Sequence, residues 1–112
     1  MKDCIFCKIV DKELPSRIIY EDNKFIAFKD VNPKAPVHLL IIPKKHIPSV
    51  NHIESQDADL VGKLILVAQK IAKKEGVSES GYRLIFNIGK NAGQTVDHLH
   101  LHLLGGKKLP WA

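Results

Sequence analysis

Several features that mark other classes of protein are absent from this sequence. No apolar run approaches the roughly 18 residues that a membrane-spanning helix needs, and the N-terminal residues lack the apolar core of a secretory signal peptide. We find no internal repeat, low-complexity segment or linker. We therefore expect one domain spanning residues 1–112 with a single core and no membrane association. Its location is expected to be the cytoplasm, where its two cysteines stay reduced.

Aromatic residues are scarce, at 6% of the chain, and the positive charge is not concentrated. The 17 lysines and arginines exceed the 12 acidic residues by five, but the lysines occur as scattered pairs and not as one stripe. This pattern argues against nucleic acid as a partner, because nucleic-acid-binding surfaces cluster basic residues and add aromatic residues that stack on bases. The mild positive charge still favours anionic ligands such as phosphates.

Hydrophobic periodicity predicts an α+β fold. Apolar residues from Leu60 to Ala72 recur at spacings of three and four, which predicts one long helix over residues 56–75. Ile65 and Leu66 widen that stripe, so they pack either in a deeper core or at a subunit interface. A short helical stretch is predicted in the first dozen residues, and strands at residues 18–21, 24–29, 37–42, 82–87 and 97–104. This order suggests a mainly antiparallel sheet with the long helix packed on it.

The most informative segment reads Asp97-His98-Leu99-His100-Leu101-His102-Leu103-Leu104. Leucine and histidine alternate with the period of a β-strand, which would bury the leucines and line three imidazoles along the other face, about 6.6 Å apart. Histidine is neither a strong strand former nor a common core residue. Three histidines in register therefore indicate a functional site.

Two chemistries fit three aligned histidines. They could hold a catalytic zinc with one position open for water, or one of them could be a nucleophile in phosphoryl or nucleotidyl transfer. The preceding loop favours phosphate chemistry, because Gly93, Gln94 and Thr95 offer backbone N–H groups, an amide and a hydroxyl. A zinc hydrolase would benefit from a nearby carboxylate base, and the side chain of Asp97 should face away from the imidazoles by alternation.

These residues carry a specific resemblance to a known family. Residues 98–104, preceded by Gln-Thr-Val at 94–96, resemble the signature of the histidine triad family of nucleotide hydrolases and transferases. Residues 28–46 resemble the family's second characteristic block, and the similarity covers about residues 6–111. The Leu-Gly-Gly ending at 104–106, followed by a tryptophan, is similar to the branch named histidine triad nucleotide-binding proteins, or Hint.

The resemblance implies a nucleoside phosphoramidase-like hydrolase that acts on a purine nucleotide substrate of the AMP type without a catalytic metal. His100 would attack the α-phosphorus and form a nucleotidyl-histidine intermediate. His102 would bind a non-bridging phosphate oxygen, and His38 would orient the triad. Thr95, where many Hint members carry serine, would bond the leaving group. A dinucleoside-polyphosphate hydrolase or nucleotidyl transferase, and a nucleotide-binding regulatory module, remain open alternatives.

The resemblance also implies a nucleotide pocket, in which Asp30 would accept hydrogen bonds from the ribose. From the residues alone, Asp30 fits equally well as a turn residue, and the apolar members of the pocket fit a plain core. The remaining positions would be Phe6, Ile9, Phe28 and Val31 around the base, and Asn87, Gly93, Gln94, Thr95, His100 and His102 around the phosphate.

Cys4-x-x-Cys7 is half of a zinc site, and on the residues alone buried free thiols or a redox pair remain alternatives. Some prokaryotic relatives complete such a site with the histidine after Lys-Lys and the first triad histidine. The resemblance thus implies a structural zinc held by Cys4, Cys7, His46 and His98. His98 would then serve the metal and not the reaction.

The resemblance further implies a two-fold homodimer with a shared sheet. In such a dimer Trp111 would pack across the interface near the partner's active site. The alternative is that Trp111 is only a terminal anchor.

Overall fold

The computed structural model describes residues 3–111. The elements in that range are α1 (Ile5–Val10), β1 (Ile18–Glu21), β2 (Phe25–Lys29), β3 (Val37–Pro43), α2 (Ala58–Lys74), β4 (Tyr82–Ile85) and β5 (Leu101–Gly105). Neighbouring strands pair antiparallel in the order β1-β2-β3-β5-β4, so the predicted α+β fold is confirmed. None of the helices in this range is long and apolar enough to cross a membrane.

The long helix α2 packs on one face of the sheet through the predicted stripe. Its buried residues are Leu64, Val67, Ala68, Ile71 and Ala72, and they contact apolar side chains of β2, β3 and β5. The helix begins at Ala58, two residues later than predicted, because residues 55–57 form a 3-10 turn. Ile65 and Leu66 are 45% and 60% exposed, so the deeper-core interpretation is wrong within this chain.

The short helix α1 packs on the other face of the sheet. Phe6 and Ile9 are its buried residues, and they contact the side chains of β2 and β3 that point away from α2. Successive apolar residues in β2 therefore have a partner on either side, which explains why this strand shows no polar alternation.

The histidine segment forms a shorter strand than its alternation predicts, since β5 begins only at Leu101. Ahead of it, the N–H of Leu99 bonds the carbonyl of Ile47 at 2.6 Å, which takes this residue out of the strand ladder. The leucines nevertheless all face α2, so the predicted separation of leucines and histidines holds. His98 consequently lies in a bend before the strand, His100 lies in the irregular stretch between that bend and the strand, and His102 lies in the strand itself.

Candidate active site

The three histidines of the segment have different neighbours. His98 lies among two cysteines and His46, the ring of His100 contacts Phe6 of α1, and His102 is bonded to His38. His98 thus lies with the residues that the resemblance names for a metal, apart from the other two histidines of the segment. His100 and His102 stay adjacent, with ring centroids 5.1 Å apart.

Hydrogen bonding fixes the protonation pattern of His100. Its Nδ1 lies 2.6 Å from the backbone carbonyl oxygen of His98, and because a carbonyl can only accept, Nδ1 carries the hydrogen. The neutral ring then has its lone pair on Nε2. Phe6 packs edge-on against this ring with centroids 5.2 Å apart, and His100 is 7% exposed. The result is an immobilised imidazole with one free nucleophilic nitrogen.

His38 and His102 form a second, directly bonded pair. In the sheet Leu40 lies opposite His102, and His38 lies two residues before Leu40, so the two histidines are diagonal neighbours on one face. Nε2 of His38 and Nδ1 of His102 are 3.0 Å apart. Burial lowers the pKa of His102 to about 4, with the neighbouring His100 and His38 acting in the same direction. Burial also lowers the pKa of His38, so the pair is neutral at pH 7.

Asp30 follows β2 and reaches the same pair. Its Oδ2 lies 3.2 Å from Nε2 of His38, and its Oδ1 accepts the backbone N–H of Asn32 at 2.8 Å. Asp30 therefore is a turn residue, as one of the sequence interpretations had it, and it also contacts a histidine. The contact with His38 was missed in the sequence, although the register offers a signal for it. Lys29 of β2 lies opposite Leu39 of β3. The same antiparallel register, continued by one residue, places Asp30 opposite His38.

The loop before the histidine segment is held together by Gln94. Its amide group donates to the carbonyls of Pro48 and Val96 at 2.8 and 3.0 Å, and its Oε1 accepts the N–H of Gly89. The backbone N–H of Gln94 also donates to the carbonyl of Gly89. All the donors of Gln94 that were expected to serve a phosphate are thus bonded within the protein, so Gln94 is a scaffold for the loop.

The other predicted phosphate-side residues lie at or near the surface. Thr95 and Gly93 are exposed and Asn87 is half-buried. Thr95 lines an open pocket of about 440 Å³ whose other walls include Asp97, His46 and Cys4. Thr95 therefore lies on the surface, at a pocket that a small molecule can enter.

The residues expected around a nucleotide base divide into two groups. Phe6, Ile9 and Phe28 are buried in the core under α1, and the rings of Phe6 and Phe28 pack edge to face with centroids 5.3 Å apart. Val31 is 90% exposed in the loop after β2. The first three thus have the packing role that the residues alone suggest, and Val31 is free to contact a ligand.

Cys4, Cys7, His46 and His98 come together as a compact cluster. Each offers one sulfur or nitrogen atom, and these four atoms all lie within 4.8 Å of one another. The Nδ1 atoms of the two histidines are 3.2 Å apart, and each cysteine sulfur lies 3.3 Å from one of them. For a tetrahedral zinc, ordinary bond lengths give N···N and S···N separations of about 3.3 and 3.6 Å. The donor set therefore fits such an ion.

The protonation pattern of His98 also suits a metal. Its Nε2 donates to the carbonyl of Pro43 at 2.8 Å, which leaves the lone pair on the Nδ1 that faces the cluster. Burial lowers the pKa of His98 to about 4, and a neutral imidazole is the form that binds metals. Burial, together with the neighbouring Cys4, raises the pKa of the Cys7 thiol to about 11. A metal must therefore displace a proton from Cys7.

The chain is similar to known proteins over nearly its whole length. The family model described as the scavenger mRNA decapping enzyme C-terminal binding domain matches residues 3–110. A purine nucleoside phosphoramidase of Escherichia coli K12 is 48% identical over 108 residues, which cover 96% of this chain and 91% of that protein. A HIT family hydrolase from Legionella pneumophila is 49% identical with a TM-score of 0.96, covering 97% of each chain. A histidine triad protein from Clostridium difficile is 48% identical with a TM-score of 0.97, covering all of this chain and 97% of the other. This chain, with two adjacent imidazoles beside a Cys/His cluster, belongs to the histidine triad family.

Proposed function

We propose that this protein hydrolyses nucleoside 5′-phosphoramidates through a nucleotidyl-histidine intermediate. The observation that carries the proposal is the hydrogen bond from Nδ1 of His100 to the carbonyl of His98, since it leaves the lone pair of the neutral ring on Nε2. The 48% identity to a purine nucleoside phosphoramidase over nearly the whole chain supports the substrate class. A purine nucleotide of the AMP type is the substrate that we propose to test.

The reaction proceeds in two displacements. Nε2 of His100 attacks the α-phosphorus and the bond from phosphorus to the amine nitrogen breaks. The amine leaves with a proton that the Thr95 hydroxyl passes to it and regains from solvent. Water then attacks the same phosphorus, the bond from phosphorus to Nε2 breaks, and the nucleoside monophosphate is released with His100 restored. Splitting one difficult displacement into two lowers each barrier.

The other histidines and Thr95 act around this centre. His102, held neutral with its hydrogen on Nε2, donates that hydrogen to a non-bridging phosphate oxygen as charge develops. His38 orients His102 through the bond at 3.0 Å. The hydroxyl of Thr95 bonds the leaving group, a role that we assign from the family resemblance. Asp30 binds the ribose hydroxyls, and Val31 contacts the base.

The test is to trap the intermediate. Wild-type protein is mixed at single turnover with adenosine 5′-phosphoramidate labelled at phosphorus, denatured, and examined for label that is stable in base and lost in acid. We expect transient label in the wild type and none in His100→Ala, with turnover reduced at least 10³-fold. Normal turnover by His100→Ala would overturn the assignment. Faster turnover of a diadenosine polyphosphate than of the phosphoramidate would assign the protein to the dinucleoside-polyphosphate hydrolases instead.

We also propose that Cys4, Cys7, His46 and His98 hold a structural zinc. The separations between their donor atoms and the lone pair on Nδ1 of His98 support this ion. A zinc there joins α1, the turn after β3 and the bend before β5, and it supplies folding energy, not chemistry. The two thiolates require a reducing compartment, in keeping with the cytoplasmic location that we propose.

Cys4→Ser tests the zinc site with little disturbance of α1. Cys4 caps this helix by accepting the N–H of Cys7 on its sulfur at 3.3 Å, and serine is itself a good capping residue. We expect the variant to lose bound zinc and melt at lower temperature, as measured by elemental analysis and thermal unfolding. Zinc-free wild-type protein purified from zinc-supplemented cells would refute the site.

A two-fold dimer with a shared sheet is the assembly that we propose. β4 is an edge strand of the sheet, and a free edge can pair with a second copy. Arg83 of β4 bonds the carbonyl of Pro110 at 2.7 Å, which anchors the tail beside this edge, and Trp111 there is 93% exposed. Light scattering should give twice the chain mass of 12.6 kDa. A monomer at micromolar concentration would refute the dimer.

A further inference from the structure

Asp30 has a contact that ribose binding does not explain. Its Oδ2 lies 3.2 Å from Nε2 of His38, while the same nitrogen lies 3.0 Å from Nδ1 of His102. We propose that Asp30 is a positioning residue, whose carboxylate holds the ring of His38 and through it fixes the orientation and tautomer of His102. The residue that would bind the sugar thereby also prepares the ring that would bind the phosphate.

The loop between β2 and β3 is built around this contact. The N–H of Asp30 donates to the carbonyl of His38 at 3.0 Å, which closes the hairpin one residue beyond the strands. The N–H of Asn32 donates to Oδ1 of Asp30 at 2.8 Å, and the N–H of Lys34 donates to Nδ1 of His38 at 3.0 Å. The side chain of Asp30 is 17% exposed and that of His38 only 4%. Neither ring nor carboxylate therefore moves without breaking a bond of this loop.

These bonds leave one place for each ring hydrogen. Because Nδ1 of His38 accepts from Lys34, a neutral His38 carries its hydrogen on Nε2. That hydrogen bonds Nδ1 of His102 at 3.0 Å, and the negative carboxylate of Asp30, 3.2 Å from the same nitrogen, favours a hydrogen at this position. Since His102 accepts at Nδ1, its own hydrogen lies on Nε2, where it can be donated to a phosphate. If any one of these contacts of His38 is removed, the tautomer of His102 is no longer specified.

The same three residues satisfy the distances of a metal site, with one donor atom from each lying within 4.8 Å of the others. The hydrogen-bond pattern argues against that role. A metal on Nε2 of His38 would need a lone pair there, while the N–H of Lys34 already requires one on Nδ1. A neutral imidazole has only one unprotonated nitrogen, so the cluster is a chain of hydrogen bonds.

Binding of a nucleotide would strengthen this arrangement, an effect that rests on the proposed function. A ribose hydroxyl that donates to Asp30 makes its carboxylate a weaker acceptor for His38. The hydrogen bond from Nε2 of His38 to Nδ1 of His102 then strengthens, so the orientation and tautomer of His102 are held more firmly when the sugar binds. A ligand without ribose hydroxyls would leave the hydrogen shared.

Asp30→Asn is the informative substitution. The amide oxygen can still accept the N–H of Asn32, but its NH₂ group then meets Nε2–H of His38 and two donors face each other. The matched control is Asp22→Asn, because Asp22 also accepts backbone N–H groups in a turn, at the other end of β2. Histidine ring nitrogens are observed by ¹⁵N NMR at pH 7.5 in nucleotide-free protein. We expect unprotonated Nδ1 and protonated Nε2 for His102 in the wild type and the control, and mixed tautomers in Asp30→Asn.

Kinetics separate positioning from ribose binding. Adenosine 5′-phosphoramidate is compared with its 2′,3′-dideoxy analogue, and we expect Asp30→Asn to lower kcat about tenfold to a hundredfold on both substrates. A loss of kcat that disappears with the dideoxy substrate, or unchanged ring signals in Asp30→Asn, would overturn the proposal. If the wild type turns over neither substrate, the proposed function fails, and the ring signals alone still decide whether Asp30 fixes His102.

Discussion

The buried, neutral state of His102 predicts a loss of stability in mild acid. Its pKa is lowered to about 4 by burial, whereas an unfolded histidine titrates near 6.5. Above pH 6.5 the ring is neutral in both states and contributes no pH dependence. Below that pH His102 is protonated in the unfolded chain but stays neutral in the folded chain, so protonation stabilises the unfolded state. The free energy of unfolding therefore falls as pH drops from about 6.5 to about 4.

Linkage gives the size of this effect. With these two pKa values the loss is about 2 kcal/mol at pH 5 and about 3 kcal/mol at pH 4. Because the ring keeps some contact with solvent, we expect the measured loss to lie below these figures. Carboxylates with lowered pKa, such as Asp57 and Asp22, lose their contribution only below about pH 4, so they do not affect the window between pH 6.5 and 4.5.

His102→Leu isolates this contribution. Leucine does not titrate and would lie opposite Leu40 in the sheet, while Nε2–H of His38 keeps Asp30 as an acceptor. Urea unfolding of both proteins at pH 7.0, 6.0, 5.5 and 5.0 gives the comparison, and metal content is matched between them. We expect the stability of the variant to fall less steeply, by about 1–2 kcal/mol over this range. Parallel curves for the two proteins would refute a depressed pKa for His102.

Two further substitutions test the scaffold around the site. Gln94→Met keeps the size of the side chain but removes its three hydrogen bonds. We expect it to lower the free energy of unfolding by about 1–3 kcal/mol in urea titrations. An unchanged urea midpoint would show that Gln94 does not hold the loop. Gly105→Ala brings a Cβ to 3.1 Å from two side-chain carbons of Val77, and we expect it to cost about 1–3 kcal/mol through overpacking. Gly62→Ala on the open side of α2 is the matched control, which should stabilise by about 0.5–1 kcal/mol.

The sequence was a good guide to elements whose packing follows their periodicity. β1 has its predicted bounds, and the buried stripe of α2 is the predicted one. The histidine segment shows where this reasoning stops. Alternation reports which side of the chain is apolar, and that property continues through Leu99 although the backbone there bonds Ile47 and not a neighbouring strand. Periodicity cannot separate a strand from an extended bend with the same alternation of faces.

The candidate site was predictable in its residue types and less so in its bonds. The resemblance pointed to four residues for the metal cluster, and the structure brings all four together; the metal itself stays a prediction. The sequence pattern does not predict which nitrogen of each histidine ring bears the hydrogen. The hydrogens of His100 and His98 are fixed by carbonyls of His98 and Pro43, and a backbone carbonyl leaves no mark in the sequence. Gln94 is the opposite case. From the sequence its side chain was expected to bind a phosphate, but in the structure it is hydrogen-bonded to Gly89 and Pro48.

His98 contributes to two sites through different parts of one residue. Its imidazole belongs to the Cys/His cluster, while its backbone carbonyl prepares His100. Every amino acid has that carbonyl, so residue 98 can be exchanged without removing the acceptor, provided the bend keeps its shape. The proposed metal site and the hydrogen bond that orients His100 are therefore separable in design. A version without the four proposed ligands would replace them with a small apolar cluster that packs as tightly under α1, and would keep the carbonyl that bonds Nδ1 of His100.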